Sequence, residues 1–343
     1  MSPFSPRNDQ SGGLPAEAWQ AEPVWVLDDP VAAAAGQALG IADRLGLPYR
    51  ALPLHWTVLA HAASLSRRGT LLGVAGAAGR RWAEPAARGP ELVISAGTRT
   101  AAVALWLRER FACRLVHCRR PPLLAGRFDL LVVPEAELGR WPRHGSNVFP
   151  VVAAPHLVSP VALAAARARW EERLDHLPHP RVALLVGGRA HGSDLQPALA
   201  HSLARHVARL AQARGGSVLA MTARHTGGEA TDALAAALGR VMHIIHRAGE
   251  PGEDPYLGFL AMADTVIATA DRTEALGEAA ATEAAVFAAL PELATRRQHR
   301  ALAALIGAGQ VKMLGDDLRA WPRSPLDEAG RVAIEIRRRF MAG

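Results

Sequence analysis

The chain has 343 residues, 50% of them apolar and 21% charged, which excludes wholesale disorder and exceeds what one core usually fills, so two domains are expected. Its net charge of +7 rests on arginine, Lys312 being the sole lysine, and the arginines are scattered along the chain; that excludes a specific nucleic-acid stripe and leaves a non-specific attraction to phosphate-bearing ligands or anionic membrane surfaces. The start lacks a basic segment leading into an apolar stretch, and no window approaches about 20 uninterrupted apolar residues, so the expected location is cytoplasmic, with peripheral contact at the inner membrane face as an option.

In chain order, residues 1–20 read as a disordered leader, after which short apolar runs alternate with alanine-rich stretches, the pattern of parallel strands joined by crossover helices. Strands are predicted at 24–27, 92–95, 115–117, 130–133 and 148–152, with helices near 34–45 and 99–110, making one doubly wound, Rossmann-like domain over 21–156. Within it, residues 55–82 are apolar, carry two arginine pairs and have tryptophan near both ends. They read as amphipathic helices of the domain or as a segment resting on a membrane surface. Cys113 and Cys118, five apart around a strand end, should point to opposite faces and remain reduced.

Pro155, Pro160, Pro178 and Pro180 mark 157–180 as a linker with one helix at about 161–175. Strands then follow at 182–186, 217–221, 243–245, 265–268 and 285–288, giving a second Rossmann-like domain over 181–325, and a last helix, about 326–340, is expected to pack back on the first domain. The fold class is α/β: two doubly wound domains facing a cleft.

Ligands of open α/β sheets bind beyond the carboxyl ends of the strands, which singles out three loops of the second domain. In Gly187-Gly188-Arg189 the glycines permit close backbone approach and the arginine suits a phosphate, although a plain tight turn has the same composition. Thr222-Ala223-Arg224-His225-Thr226-Gly227 gathers a guanidinium, an imidazole and two hydroxyls fit for a diphosphate, or is a solvated loop whose Thr226 caps the next helix. Thr269-Ala270-Asp271-Arg272-Thr273-Glu274 opens a helix whose free N–H groups favour an anion, and Glu278, one turn on, is placed to accept ribose hydroxyls. Asp271 with Glu274 also fits a capping box that would use the same donors.

Asp28, Asp29 and His117 are the candidate general bases of the first domain, each also readable as structural. The 14 histidines include no H-E-x-x-H, and His201 and His206 are five apart on a predicted helix, so no metal site is expected. There is no Walker loop and no G-x-S-x-G. No cofactor is called for beyond a nucleotide sugar as donor substrate.

Several of these segments form an ordered set: Ile94-Ser95-Ala96-Gly97-Thr98-Arg99-Thr100-Ala101, Phe128-Asp129-Leu130-Leu131-Val132-Val133-Pro134-Glu135, Gly187-Gly188, Thr222-Ala223-Arg224, and Asp254-Pro255-Tyr256 through Ala263-Asp264 to Thr269-Ala270-Asp271. Over about residues 24 to 325 this set resembles the mitochondrial-fission "elongated mitochondria" family, including its bacterial branch. The resemblance implies a fold similar to B-type glycosyltransferases (GT-B) and a nucleotide-sugar connection, with some bacterial members described as nucleotide-sugar epimerases. Three family motifs are altered. Asp29-Pro30-Val31-Ala32-Ala33 stands where the family has a D-G-(R/K)-A-G loop, Thr269-Ala270-Asp271-Arg272-Thr273-Glu274-Ala275-Leu276-Gly277-Glu278-Ala279 where it has T-A-D-S-x-S-M-x-S-E-A, with Asp271 and Glu278 kept, and Thr282-Glu283-Ala284-Ala285-Val286 where it has T-G-K-P-V.

Three functions follow as expectations. The first is a sugar transferase of bacterial envelope glycan metabolism, with the nucleotide on the second domain and a first-domain base activating the acceptor. The second is a catalytically silent scaffold for membrane or envelope partners, favoured by the altered loops. An epimerase comes third, because neither a glycine-rich dinucleotide fingerprint nor a Tyr-x-x-x-Lys arrangement is present.

Overall fold

A computed structural model of the chain describes residues 22–30, 32–60, 68–75, 89–121, 123–139, 145–188 and 194–341. The expected leader, Arg189, and residues 61–67 and 76–82 of the apolar segment lie outside the described residues. The chain divides into two compact units, the first ending at Leu157 and taken up again from Asp327, the second Val158–Leu326.

The first unit holds β1 (Val24–Asp28), β2 (Tyr49–Pro53), β3 (Leu92–Ala96), β4 (Arg114–Cys118), β5 (Leu130–Pro134) and β6 (Val148–Val151), in the order β2-β1-β3-β4-β5-β6. All pairs are parallel, with Val24 beside both Tyr49 and Leu92. Its helices are α1 (Ala32–Leu45), α2 (Thr100–Phe111) and the single turn α3 (Glu135–Leu138). β1 shows why the strands read as unbroken apolar runs. Val24 and Val26 pack with Ile41 and Leu45 of α1 on one face, while Trp25 and Leu27 pack with Val103 and Leu107 of α2 on the other. Helices on both faces leave no solvent side that would favour polar alternation.

The second unit holds α4 (Pro160–Leu174), β7 (Arg181–Val186), α5 (Pro197–Gln212), β8 (Ser217–Thr222), α6 (Gly228–Leu238), β9 (His243–His246), α7 (Tyr256–Met262), β10 (Thr265–Thr269), α8 (Thr273–Ala280), β11 (Ala285–Ala289), α9 (Arg296–Gly307) and β12 (Lys312–Met313). Its parallel sheet runs β12-β11-β10-β7-β8-β9. The stretch 157–180 is built structure: Ser159 caps α4 by accepting from the Ala162 N–H at 2.8 Å, and Trp170 meets Phe259 of α7 edge-on at 6.2 Å.

The last helix, α10 (Glu328–Phe340), lies in the first unit against α1. Val332 and Ile336 are fully buried in the same cluster as Ile41 and Leu45, each such side chain contributing about 1.5–3 kcal/mol. Arg44 pairs with Asp327 at 3.0 Å, and Glu328 accepts the Val152 N–H at 2.7 Å. Cys113 and Cys118 are free and sit in the two opposite core layers of the first unit. Burial pushes their thiols up to about 11 and about 12, so both stay protonated.

Strand order reverses in each sheet where the chain leaves its first strand in both directions: between β1 and β3 in the first unit, between β7 and β10 in the second. These are the topological switch points at which such sheets hold ligands.

Candidate functional site

At the β7/β10 switch point the loops predicted from sequence converge on the glycine pair. The Gly187 N–H donates to Thr269 Oγ1 at 2.8 Å and the Gly188 N–H to Asp271 Oδ2 at 3.0 Å. A Cβ on Gly187 would lie 2.0 Å from Asp271 Oδ2, and one on Gly188 would lie 2.3 Å from the His225 carbonyl oxygen. Both positions therefore require glycine because backbone and carboxylate occupy the space a side chain would need. The same pair brings the β7, β8 and β10 loops together.

Two polar residues take partners other than those expected. Asp271 does not cap α8: the N-cap is Arg272 and no side chain bonds there, because the Asp271 carboxylate is turned back onto Gly188. Asp271 thus latches two loops through Oδ2, while its buried Oδ1 has no hydrogen-bond partner among the described residues, and its own carbonyl accepts from Gln298 Nε2 at 2.6 Å. Thr226 does not cap α6, whose N-cap is Gly227 without a side-chain bond. Its hydroxyl donates to the carbonyls of Val186 and Gly187, at 3.1 and 2.6 Å, and accepts from the Ala223 N–H at 3.0 Å.

With these latches closed, the first turn of α8 keeps its N–H groups uncapped, and Thr273 is its first residue. The side chains of Arg272, partly exposed beside it, and of Arg224 and His225, exposed on a 3-10 turn after β8, have no hydrogen-bond or ion-pair partner among the described residues. Thr222, buried at the end of β8, accepts the Ala248 N–H at 3.4 Å. Uncapped N–H groups at a helix start with unpaired guanidinium groups on neighbouring loops form an arrangement suited to an anion such as a diphosphate.

Glu278 lies one turn into α8. Its Oε2 accepts a short hydrogen bond from the Tyr256 hydroxyl of α7. Burial pushes the carboxyl up to about 7, the Tyr256 hydrogen bond and Arg272 pull it down, and Glu274 adds to the rise. Tyr256, 5% exposed, is pushed well above its ordinary range, first by burial and then by Glu278, and remains the donor. Tyr256, Thr269 and Gln298 are the organising residues that sequence reasoning did not single out. Tyr256 and Thr269 belong to quoted motifs, whereas Gln298 has only its position three after Thr295, with which it forms a capping box.

The β1/β3 switch point differs. Asp29, 3% exposed, is paired with Arg99 at 3.0 Å, and Arg99 lies over Trp56 at 5.2 Å. Asp28 ends β1 half-buried, its carboxyl raised by burial and by Asp29 against the opposing effect of His55. His117 does not reach this edge as a base. It is fully buried within β4, its Nδ1 2.8 Å from Ser95 Oγ and its ring 5.0 Å from Phe128, and burial holds it down at about 3. A neutral imidazole in the sheet interior is a core residue.

Among the described residues no group of three metal-ligating side chains occurs and no helix is long and apolar enough to cross a membrane.

Comparison with known proteins agrees with this architecture. The UDP-GlcNAc 2-epimerase of Methanocaldococcus jannaschii superposes with a TM-score of 0.56 at 13% identity, covering 93% of this chain and 99% of that one. The Phytolacca americana UGT2 complexed with UDP-2fluoro-glucose and pterostilbene gives 0.50 at 12%, covering 92% and 90%. These likenesses establish the fold as two Rossmann-like domains of GT-B type. The Mitochondrial fission protein ELM1 of Arabidopsis thaliana is 26% identical over 284 residues, which are 74% of this chain and 65% of that protein's length. With the profile of the Mitochondrial fission ELM1 family matching residues 32–340, the chain belongs to that family.

Proposed function

We propose that the chain binds a nucleoside diphosphate sugar at the carboxyl edge of its second sheet and transfers the sugar to a hydroxyl acceptor. The observation that carries this reading is the uncapped start of α8 beside unpaired Arg272. It is a fixed set of donors aimed where the charge of a leaving diphosphate would gather. In the transfer, the acceptor oxygen bonds to the anomeric carbon as the bond to the diphosphate breaks, and the acceptor proton passes to a base. Asp28 is the candidate, its carboxyl raised by burial and by Asp29. The names of the two structural neighbours, one an epimerase and one bound to a UDP-sugar, support a uridine nucleotide as the first ligand to try.

Envelope glycans are the acceptor class we favour. Val58, 93% exposed, with Leu59 and Leu72, each 51% exposed, supports peripheral contact with an anionic membrane. A thermal-shift screen of UDP, UDP-GlcNAc, ADP and GDP tests the reading. Ligand at 100 times its Kd adds about 2.7 kcal/mol of stability, and this gain should vanish when Arg224 and Arg272 are both replaced by alanine. No shift with any of these nucleotides overturns it.

A silent scaffold is the second reading, favoured by one observation: two of the three candidate bases are consumed, His117 in the core and Asp29 by Arg99. No transfer by the wild-type chain from a nucleotide sugar that it binds would favour the scaffold, whereas transfer that is lost in Asp28→Asn would exclude it.

A further inference from the structure

The Glu278 carboxylate has a single hydrogen-bond partner among the described residues, the hydroxyl of Tyr256. That hydroxyl comes from a different helix, so the carboxylate's direction is fixed by how α7 is held. Asp254 Oδ1 accepts the Tyr256 N–H at 2.9 Å and steadies the start of α7, and Phe259 anchors the helix in the small core with Leu174 and Met262. A carboxylate with one oxygen held by a buried phenol has the other available for hydroxyl donors. We propose that Tyr256 is a positioning residue that aims Glu278 at the ribose hydroxyls of the bound nucleotide, so that the pair selects ribonucleotides over deoxynucleotides.

This inference rests on the nucleotide reading above and adds a prediction that reading does not make. A carboxylate accepts from two ribose hydroxyls, and a carboxylic acid loses part of that capacity. The groups acting on Glu278 are Tyr256 from α7, Glu274 from its own helix and Arg272 from the preceding loop, and burial sets it near 7. Ribose recognition should therefore switch on as pH rises through neutrality. Between pH 6 and pH 8 the ionised fraction goes from about one tenth to about nine tenths, so apparent affinity for the ribose rises by up to about tenfold. Removing the phenolic hydroxyl takes away a group that lowers the Glu278 carboxyl, and the midpoint moves to higher pH.

The test is calorimetry on the full chain with UDP and with 2′,3′-dideoxy-UDP, whose phosphates titrate alike and so cancel. In the wild type the preference for UDP should grow by up to about tenfold from pH 6 to pH 8. In Tyr256→Phe the rise should shift upward in pH, and in Glu278→Gln the preference should be small and flat. An unchanged midpoint in Tyr256→Phe, with both nucleotides still bound, overturns the role of Tyr256 alone; failure of the wild type to bind either nucleotide overturns the site itself.

Should Tyr256→Phe not fold, the wild-type protein decides by carbon-13 spectroscopy, since it has only two tyrosines. The Tyr256 Cζ and Glu278 carboxyl resonances must then share one midpoint, and separate midpoints refute the pairing.

Discussion

The two carboxyl edges of this molecule each carry a topological switch point, yet have opposite states of charge satisfaction. At the first sheet's switch point the charges are matched internally: buried Asp29 holds Arg99, and Arg99 lies over Trp56. At the second, Thr226, Thr269, Asp271 and Gln298 each bond across to a neighbouring loop, while the side chains of Arg224, His225 and Arg272 have no hydrogen-bond or ion-pair partner among the described residues. The first edge is stabilised by its charges, whereas the second separates the residues that hold the loops from those left to meet a ligand.

The largest expected effect comes from breaking the latch itself. Gly188→Ala would drive a Cβ to 2.3 Å from the His225 carbonyl oxygen and 2.7 Å from the Thr226 Cα. Backbone cannot yield there, so chemical denaturation should show a loss on the order of 4 kcal/mol. A loss below about 1 kcal/mol would mean that the loops slide freely and the convergence is loose.

A smaller pair of effects separates the two edges directly. Arg99→Ala removes the ion pair with buried Asp29 and should cost about 1–3 kcal/mol of stability, with nucleotide affinity unchanged. Arg272→Ala should do the reverse: stability within about 0.5 kcal/mol of the wild type and affinity for UDP down about tenfold, or about 1.4 kcal/mol. Denaturation and calorimetry on both variants check the contrast; similar profiles for the two would erase it.

Central strands were legible because helices cover both faces of each sheet. The run 24–27 is observed as Val24–Asp28, and 182–186 as Arg181–Val186. The edge strands β2 and β12 were not foreseen: Tyr49-Arg50-Ala51-Leu52-Pro53 buries only Leu52, and Lys312-Met313 is exposed throughout. An edge strand is fixed by its one neighbour and needs no apolar run.

At the site, residue types were readable and their partners were not. Asp271 was placed three before Glu274 as a capping box requires, yet Gly188, brought close only by the sheet, takes its carboxylate. The helix-capping reading of Thr226 failed for the same reason, since the choice of partner is made by tertiary distance, whereas the structural alternative for His117 agrees with its burial in β4.

The central claim is that nucleotide binding belongs to the second edge and not the first. Hydrogen-exchange mass spectrometry of the full chain with and without saturating UDP tests it most directly. Added protection is expected at 186–188, 222–228 and 269–278, with none at 26–30 or 95–101. Protection confined to the first-unit segments, or absent from all of them, would contradict the account.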